Sequence, residues 1–260
     1  MKFLFQHERF VPALTGKHLT SDASVFLEAI AVNSWMHPES HCKVSFCSEA
    51  DLPQKNVKNK IPIGSVSFTN KVLEMQGRPP LLVLNVPEYL RTEAFAGRKT
   101  AVVSAEDVLS VYTDWNTDKL FIKSNERLKA EFTGVYTKSQ IQTPLWLEDE
   151  LPDKEELFVS EVVDFVSEWR CFVYEKMLYG IRNYTGDEFV IPSKQTIEQC
   201  IEAVGDRFGA YVLDVGVLQN GKTVVVEMHE FMSCGLYGYE DKMLLPMLIK
   251  AYRERQLPTT

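Results

Sequence analysis

Residues 211–230, YVLDVGVLQNGKTVVVEMHE, carry the strongest conformational constraint in the chain. Two runs rich in Val and Leu flank Asn220-Gly221, the short-range signature of a β-hairpin closed by a two-residue type I′ turn. Such a turn sets the pairing. Gln219 then faces Lys222, and Asp214 faces Glu227. Because side chains alternate across a strand, one face is expected to carry Leu213, Val215, Val217, Val224, Val226 and Met228. The other is expected to carry Asp214, Gly216, Val225, Glu227 and His229.

Two carboxylates placed opposite each other repel. A cation between them removes the conflict, and Mg²⁺ or Mn²⁺ suits such a pair, with nucleotide phosphates completing the shell. The competing reading is a solvated sheet face whose acids pair with Lys or Arg from elsewhere in the chain.

The remainder of the chain narrows the class. Its 260 residues suffice for one large domain or two to three small lobes. A net charge of −8 argues against binding the nucleic-acid backbone or an anionic membrane surface. Phe3–Phe5 is too short an apolar run for a signal peptide, and no run approaches a membrane span. Five cysteines without a dense framework suggest reduced thiols and a cytoplasmic protein.

The pattern predicts an α+β chain. Phe3–Phe5 and Lys43–Cys47 read as strands around a helix from Ser21-Asp22 to about Asn33, with residues 48–60 a polar loop. His37, His41, Cys42 and Cys47 lie close together, but their spacing matches no common zinc finger. Leu81–Leu84 and Ala101–Val103 read as strands, and a helix follows Ser104 to Val111 or Tyr112. The run Lys119–Ser124 reads as a strand ending in Lys123. A polar loop, Asn125–Gly134, carries Lys129.

The acidic stretch Glu148–Glu156 reads as a linker, and Leu157–Val163 as an apolar strand. Ser167–Tyr184 is a second hairpin turning near Glu175-Lys176. Glu168 and Arg170 share one of its faces, and Arg182 is expected on the opposite one. Ser193 caps a helix to about Phe208 that Gly209 stops. A last helix covers Met243–Arg255, with Pro246 in its first turn.

Taken in order, these pieces resemble the ATP-grasp superfamily, and the run EMHEFMSCGLYGY, with Gly235, Tyr237 and Gly238, is most similar to its R2K clade. The resemblance implies an ATP-grasp fold: two α+β lobes holding ATP, residues 79–156 and 157–260, behind a small N-terminal α/β domain, residues 1–78. It implies that Lys123 touches the nucleotide phosphates and that Lys129 lies on the loop covering them. Glu161 and Val163 fall in the inter-lobe hinge that meets adenine and ribose, and Arg170 matches an arginine that reaches the phosphates. Asp214 and Glu227 match two metal-binding acids. His229 stands where the family usually has a metal-binding Asn; the resemblance implies Mg²⁺, and because His ligates Mn²⁺ or a softer metal better, Mn²⁺ stays open beside it. Val212 stands where some ATP-grasp ligases have Arg, which leaves the reaction intermediate to other residues such as Arg182.

The implied activity is ATP-dependent carboxylate–amine ligation through an acyl phosphate, on small-molecule or peptide substrates, in a chain whose relatives are often homodimers. Three rivals remain open. One is a non-catalytic nucleotide-binding or interaction protein, and another is a kinase that stops at phosphoryl transfer. The third is a covalent nucleotidyltransferase, against which Lys123-Ser-Asn125-Glu126 ends in Glu where that motif has Gly.

Overall fold

The computed structural model describes residues 1–9, 22–128, 132–142 and 155–255. Lys129 lies outside them. So do Ser21 and most of the acidic stretch.

The chain begins with a parallel unit. Strand β1 (Lys2–Gln6) leads to helix α1 (Asp22–Met36), then to β2 (Lys43–Cys47), β3 (Ile61–Ile63) and helix α2 (Val66–Met75). The sheet order is β2-β1-β3, all parallel. Ser65 caps α2 by accepting the Phe68 amide at 3.1 Å.

Residues 78–86 then join no sheet, with a bend at Asn85-Val86, so the strand expected at Leu81–Leu84 is absent. Side chains take its amides instead: Leu81 N donates to Asn70 Oδ1 and Leu82 N to Glu230 Oε2. Backbone groups satisfied in this way have no need of a ladder partner.

The second unit holds β4 (Thr100–Ser104), α3 (Val108–Asp114), β5 (Lys119–Ser124), β6 (Gly134–Thr137) and β7 (Glu156–Glu161), in the antiparallel order β4-β7-β5-β6. Its own apolar cluster includes Tyr112, Leu120, Ile122, Leu157 and Val159.

The third unit is a four-stranded antiparallel sheet, β11-β10-β8-β9, formed by β8 (Phe165–Tyr174), β9 (Met177–Gly186), β10 (Ala210–Leu218) and β11 (Thr223–Glu230). Helix α4 (Lys194–Val204) lies between β9 and β10 in the chain, and α5 (Leu244–Glu254) closes it. Gly205, at φ +61°, ends α4, four residues before the expected Gly209. Among the described residues no helix is long and apolar enough to cross a membrane.

The third sheet packs an apolar cluster on each face. One face packs Cys171, Val173, Tyr211, Leu213 and Val215 with Ile197 and Ile201 of α4. The other places Phe172 and Val212 in a cluster that takes in α5, Phe231 and Tyr239, and continues to Phe3, Phe5 and Phe26 of the first unit.

Both hairpins depart from the simplest pairing. At Asn220-Gly221 the loop has three residues. Leu218 N donates to Lys222 O at 2.9 Å, and Gly221 N to Leu218 O at 2.8 Å. Gly221 has φ +79° while Asn220 stays out of the positive region, which rules out a type I′ turn. That loop alone would shift the pairing by one. A β-bulge between Asp214 and Val215 restores it: Val215 pairs with Val225, yet Asp214 pairs with Glu227. Val225 therefore belongs to the core with Leu213 and Met228, contrary to its expected place beside the acids, and Val226 is the unpaired residue.

The other hairpin reverses the lesson. Glu175 and Lys176 have φ +46° and +62°, a type I′ turn without glycine. Tertiary contacts hold it: Lys250 reaches Glu175 at 2.5 Å, Lys176 reaches Asp206 at 2.5 Å, and Glu175 N donates to Gly209 O. A bulge follows, since Val173 pairs with Leu178 but Phe172 with Gly180. It turns Arg182 onto the face of Arg170, which corrects the expected opposite placement.

Gly221→Ala tests the three-residue loop. A Cβ there meets nothing within 4 Å, so the cost is that of the left-handed backbone alone, about 1–2 kcal/mol. A melting temperature lower by about 2–8 °C, read by calorimetry, is the expected outcome.

Candidate functional site

The corrected registers align four ionisable residues in one row across the third sheet. Glu227 pairs with Asp214, Asp214 with Arg170, and Arg170 with Arg182. The row therefore runs acid, acid, base, base.

Each member has a defined partner. Arg170 grips Asp214 with two bonds, Nε to Oδ1 at 2.8 Å and Nη2 to Oδ2 at 2.6 Å. Both are buried, at 5% and 1% exposure. The third arm of Arg170 donates to Gly235 O at 3.0 Å, and Arg182 Nε donates to Gly238 O at 3.0 Å. The glycine-rich segment after β11 thus receives both arginines through its carbonyls. Tyr237, at φ +48°, lies between those glycines. Its ring stacks on Tyr184 with centroids 5.0 Å apart, and the Arg170 guanidinium sits 5.0 Å from its centre.

Lys123 enters from the second sheet. It lies on β5, opposite Phe158 of β7, and its Nζ contacts Glu227 Oε2 at 2.6 Å. His229 Nε2 lies 2.6 Å from Glu227 Oε1 and 4.0 Å from Asp214 Oδ2. Asp214, Glu227 and His229 form the metal-competent cluster found among the described residues, with ligand atoms within 4.8 Å of one another.

The electrostatics follow from these contacts. Burial raises the Glu227 carboxyl, but Lys123 and His229 outweigh it and hold the group well below the usual carboxylate range. Burial pushes Asp214 upward, with Arg170 opposing. Arg170 itself is held firmly protonated, its bonds to Asp214 overcoming desolvation. Burial pushes Cys234 up to about 12, so the thiol beside this cluster stays protonated.

Lys123, Arg170, Glu227 and His229 line a cleft of about 390 Å³ together with Asn85 and Tyr237. An adjoining cavity of about 290 Å³ shares Ser233, Cys234 and Gly235 with it and is bounded by Arg9 and Asp22 of the first unit. Other expected residues fall elsewhere. Glu161 Oε2 accepts the Lys99 amide at 2.8 Å, at the end of β7. Val163 is half-buried in the connection to β8. Cys42 Sγ lies near Ser40 and Asn33, while Cys47 Sγ donates to Ser48 O.

Sequence reasoning passed over two residues that brace the site, Asn85 in the cleft wall and Arg98 behind it. Asn85, buried at φ +46°, accepts the Met228 amide at 2.7 Å and donates to Ser124 O and Asn125 Oδ1 at 3.1 Å each. It thereby ties the end of β5, next to Lys123, to β11, between Glu227 and His229. Arg98, which burial lowers to about 10, donates to Val225 O across the bulge. Glu168 accepts from Tyr184 Oη at 2.9 Å. No local pattern marks Asn85 or Arg98, because the partners that matter lie far along the chain: Ser124 and Asn125 about forty positions from Asn85, and Met228 and Val225 more than a hundred from Asn85 and Arg98.

Residues 95–247 match a family model described as ATP-grasp domain, R2K clade family 2. No curated protein matches the chain. Among solved structures, D-alanyl-alanine synthetase A from Vibrio cholerae superposes with a TM-score of 0.61 at 12% identity, over 97% of this chain and 98% of that one. D-alanine–D-alanine ligase from Bacillus anthracis complexed with ATP gives 0.55 at 13% identity, over 98% and 97%. The macrocyclase MdnC bound with precursor peptide MdnA, from Microcystis aeruginosa, gives 0.53 at 11%, over 96% and 98%. At these identities the likeness is one of fold, the ATP-grasp fold.

The buried Arg170–Asp214 pair makes a stability prediction. Arg170→Met leaves an unpaired buried carboxylate and should cost about 3–5 kcal/mol in urea unfolding. Adding Asp214→Asn should recover more than half of that loss.

Proposed function

The chain belongs to the R2K clade of the ATP-grasp superfamily, and from that premise we propose that it is an ATP-dependent ligase joining a carboxylate to an amine through an acyl phosphate. The observation that carries this reading is the meeting of Lys123, Arg170, Glu227 and His229 at one cleft between two sheets, with Asp214 buried directly behind them within 4.8 Å of the Glu227 and His229 ligand atoms. Phosphoryl transfer asks for positioning and charge neutralisation more than for a protein nucleophile. The cleft offers both, and its thiol is held protonated.

The donor set suits a divalent cation. Two opposed carboxylates supply hard oxygen ligands, and the imidazole of His229 tilts the choice toward Mn²⁺ relative to Mg²⁺. Asp214, Glu227 and His229 would hold the ion, which supplies Lewis-acid neutralisation of phosphate oxygens. Lys123 and Arg170 add positive charge from the two sides of the cleft. Asn85 keeps Lys123 and Glu227 in register by joining their strands. Glu161 and Val163 would meet the base and ribose at the connection between β7 and β8. With Val212 buried in the core, the guanidinium nearest Asp214 comes from the neighbouring strand, as Arg170. Arg182, one strand further, is the candidate for holding a substrate carboxylate or acyl phosphate.

The adjoining cavity by Arg9 and Asp22 gives the two substrates a place next to the phosphate-bearing end. The solved relatives named above span D-alanine and a precursor peptide, so both free amino acids and peptide ends belong among the acids and amines to test.

Calorimetry with ATP, with and without Mg²⁺ or Mn²⁺, followed by ADP release across acid–amine pairs, tests the proposal. Metal-strengthened ATP binding and acceptor-dependent turnover are expected. Glu227→Gln should lower that turnover by at least about a hundredfold while retaining the wild-type circular dichroism spectrum. Full turnover in this variant would remove Glu227 from the site.

A further inference from the structure

All four carboxylate oxygens of the metal-competent pair are already engaged by the protein. Glu227 Oε2 holds Lys123 and Glu227 Oε1 holds His229. Asp214 Oδ1 and Oδ2 both hold Arg170. Two acids and two bases cancel at close range, so the cluster offers little net attraction to a cation arriving alone. Such a cation must also compete with an ammonium and a guanidinium for the same oxygens.

The two bases are not equally fixed. Arg170 makes bonds to Asp214 and to Gly235 O, and Tyr237 covers its guanidinium. Lys123, although buried and with its ammonium 5.9 and 5.5 Å from the Phe121 and Phe158 rings, has a single ion pair at the end of its four-carbon stem, made across two sheets, and no bond to a backbone carbonyl to match that of Arg170 to Gly235. Both line the cleft in which phosphate groups would sit. A polyphosphate offers Lys123 several oxygens to replace the one it leaves.

We infer that Lys123 is a built-in counter-ion that keeps divalent metal off Glu227 until phosphate groups draw its ammonium away, so that metal and nucleotide enter together. This inference rests on the metal–nucleotide reading of the cleft. It assigns Lys123 two opposed effects: the ammonium favours the nucleotide and disfavours the bare ion. A lysine that served only as a phosphate ligand would leave the affinity for metal alone unchanged.

The test measures Mn²⁺ binding without nucleotide, by calorimetry and by the electron paramagnetic resonance signal of the free ion. Lys123→Met should bind Mn²⁺ at least about tenfold more tightly than wild type, since it leaves two acids facing one guanidinium. The same variant should bind ATP more weakly. Lys123→Gln provides a second uncharged side chain, and Lys123→Arg, which keeps the charge, should stay near wild type. Circular dichroism reports that each variant is folded. Adding Glu227→Gln to Lys123→Met should abolish the gain.

Unchanged or weaker Mn²⁺ binding in both uncharged variants, with Glu227→Gln still lowering it, overturns the counter-ion role and leaves the metal site standing. No Mn²⁺ binding in any form overturns the metal site itself and this inference with it.

Discussion

The rest of the site depends on one row of charges. Glu227, Asp214, Arg170 and Arg182 occupy adjacent strands at one level of a sheet. Two like charges side by side would be unfavourable, and the row contains two such pairs. The structure resolves each from outside the row. Lys123 neutralises Glu227, whose other oxygen lies 2.6 Å from His229 Nε2, while the carbonyls of Gly235 and Gly238 take the spare donors of the arginines. Removing one partner of such a buried set leaves another uncompensated, and that is why it acts as a unit.

Placing this row required irregular backbone. A three-residue loop and a bulge offset each other in the β10–β11 hairpin. In the β8–β9 hairpin a glycine-free type I′ turn and a bulge bring Arg182 to the level of Arg170. Gly180 then sits opposite Phe172, and its lack of a side chain leaves room for Tyr239 to lie flat on the Phe172 ring, with centroids 3.9 Å apart. The row's surroundings are thus packed as tightly as a core, although the row itself is ionic.

The cleft walls come from parts distant in sequence. Thr69 of α2 meets Ser233 beyond β11 through their hydroxyls at 2.7 Å. Arg255 ties the extended connection at Pro79 and Pro80 to Glu230. A continuous apolar cluster joins β1 and α1 to α5, so the first and last segments of the chain form one body of packing.

Local chemistry alone made much of this legible. The alternation of Leu213, Val215 and Met228 with Asp214 and Glu227 identified a strand pair with a core face and a face carrying two opposed acids. The apolar stripe Ile197, Ile201 and Val204 identified α4, and Lys123 at the end of KLFIKS could be matched to a family pattern. Such features depend on neighbours one to four residues away, and periodicity records them. The facing of Asp214 with Glu227 was inferred correctly from a turn that does not occur, because the bulge cancels the extra loop residue. Tertiary packing decided that bulge, the positive φ values at Glu175 and Lys176, and the side chosen by Arg182. It also decided that the two acids meet Lys123 and Arg170. Each of these outcomes is set by contacts between segments tens to more than a hundred residues apart, whose energies leave no trace in the spacing of either segment.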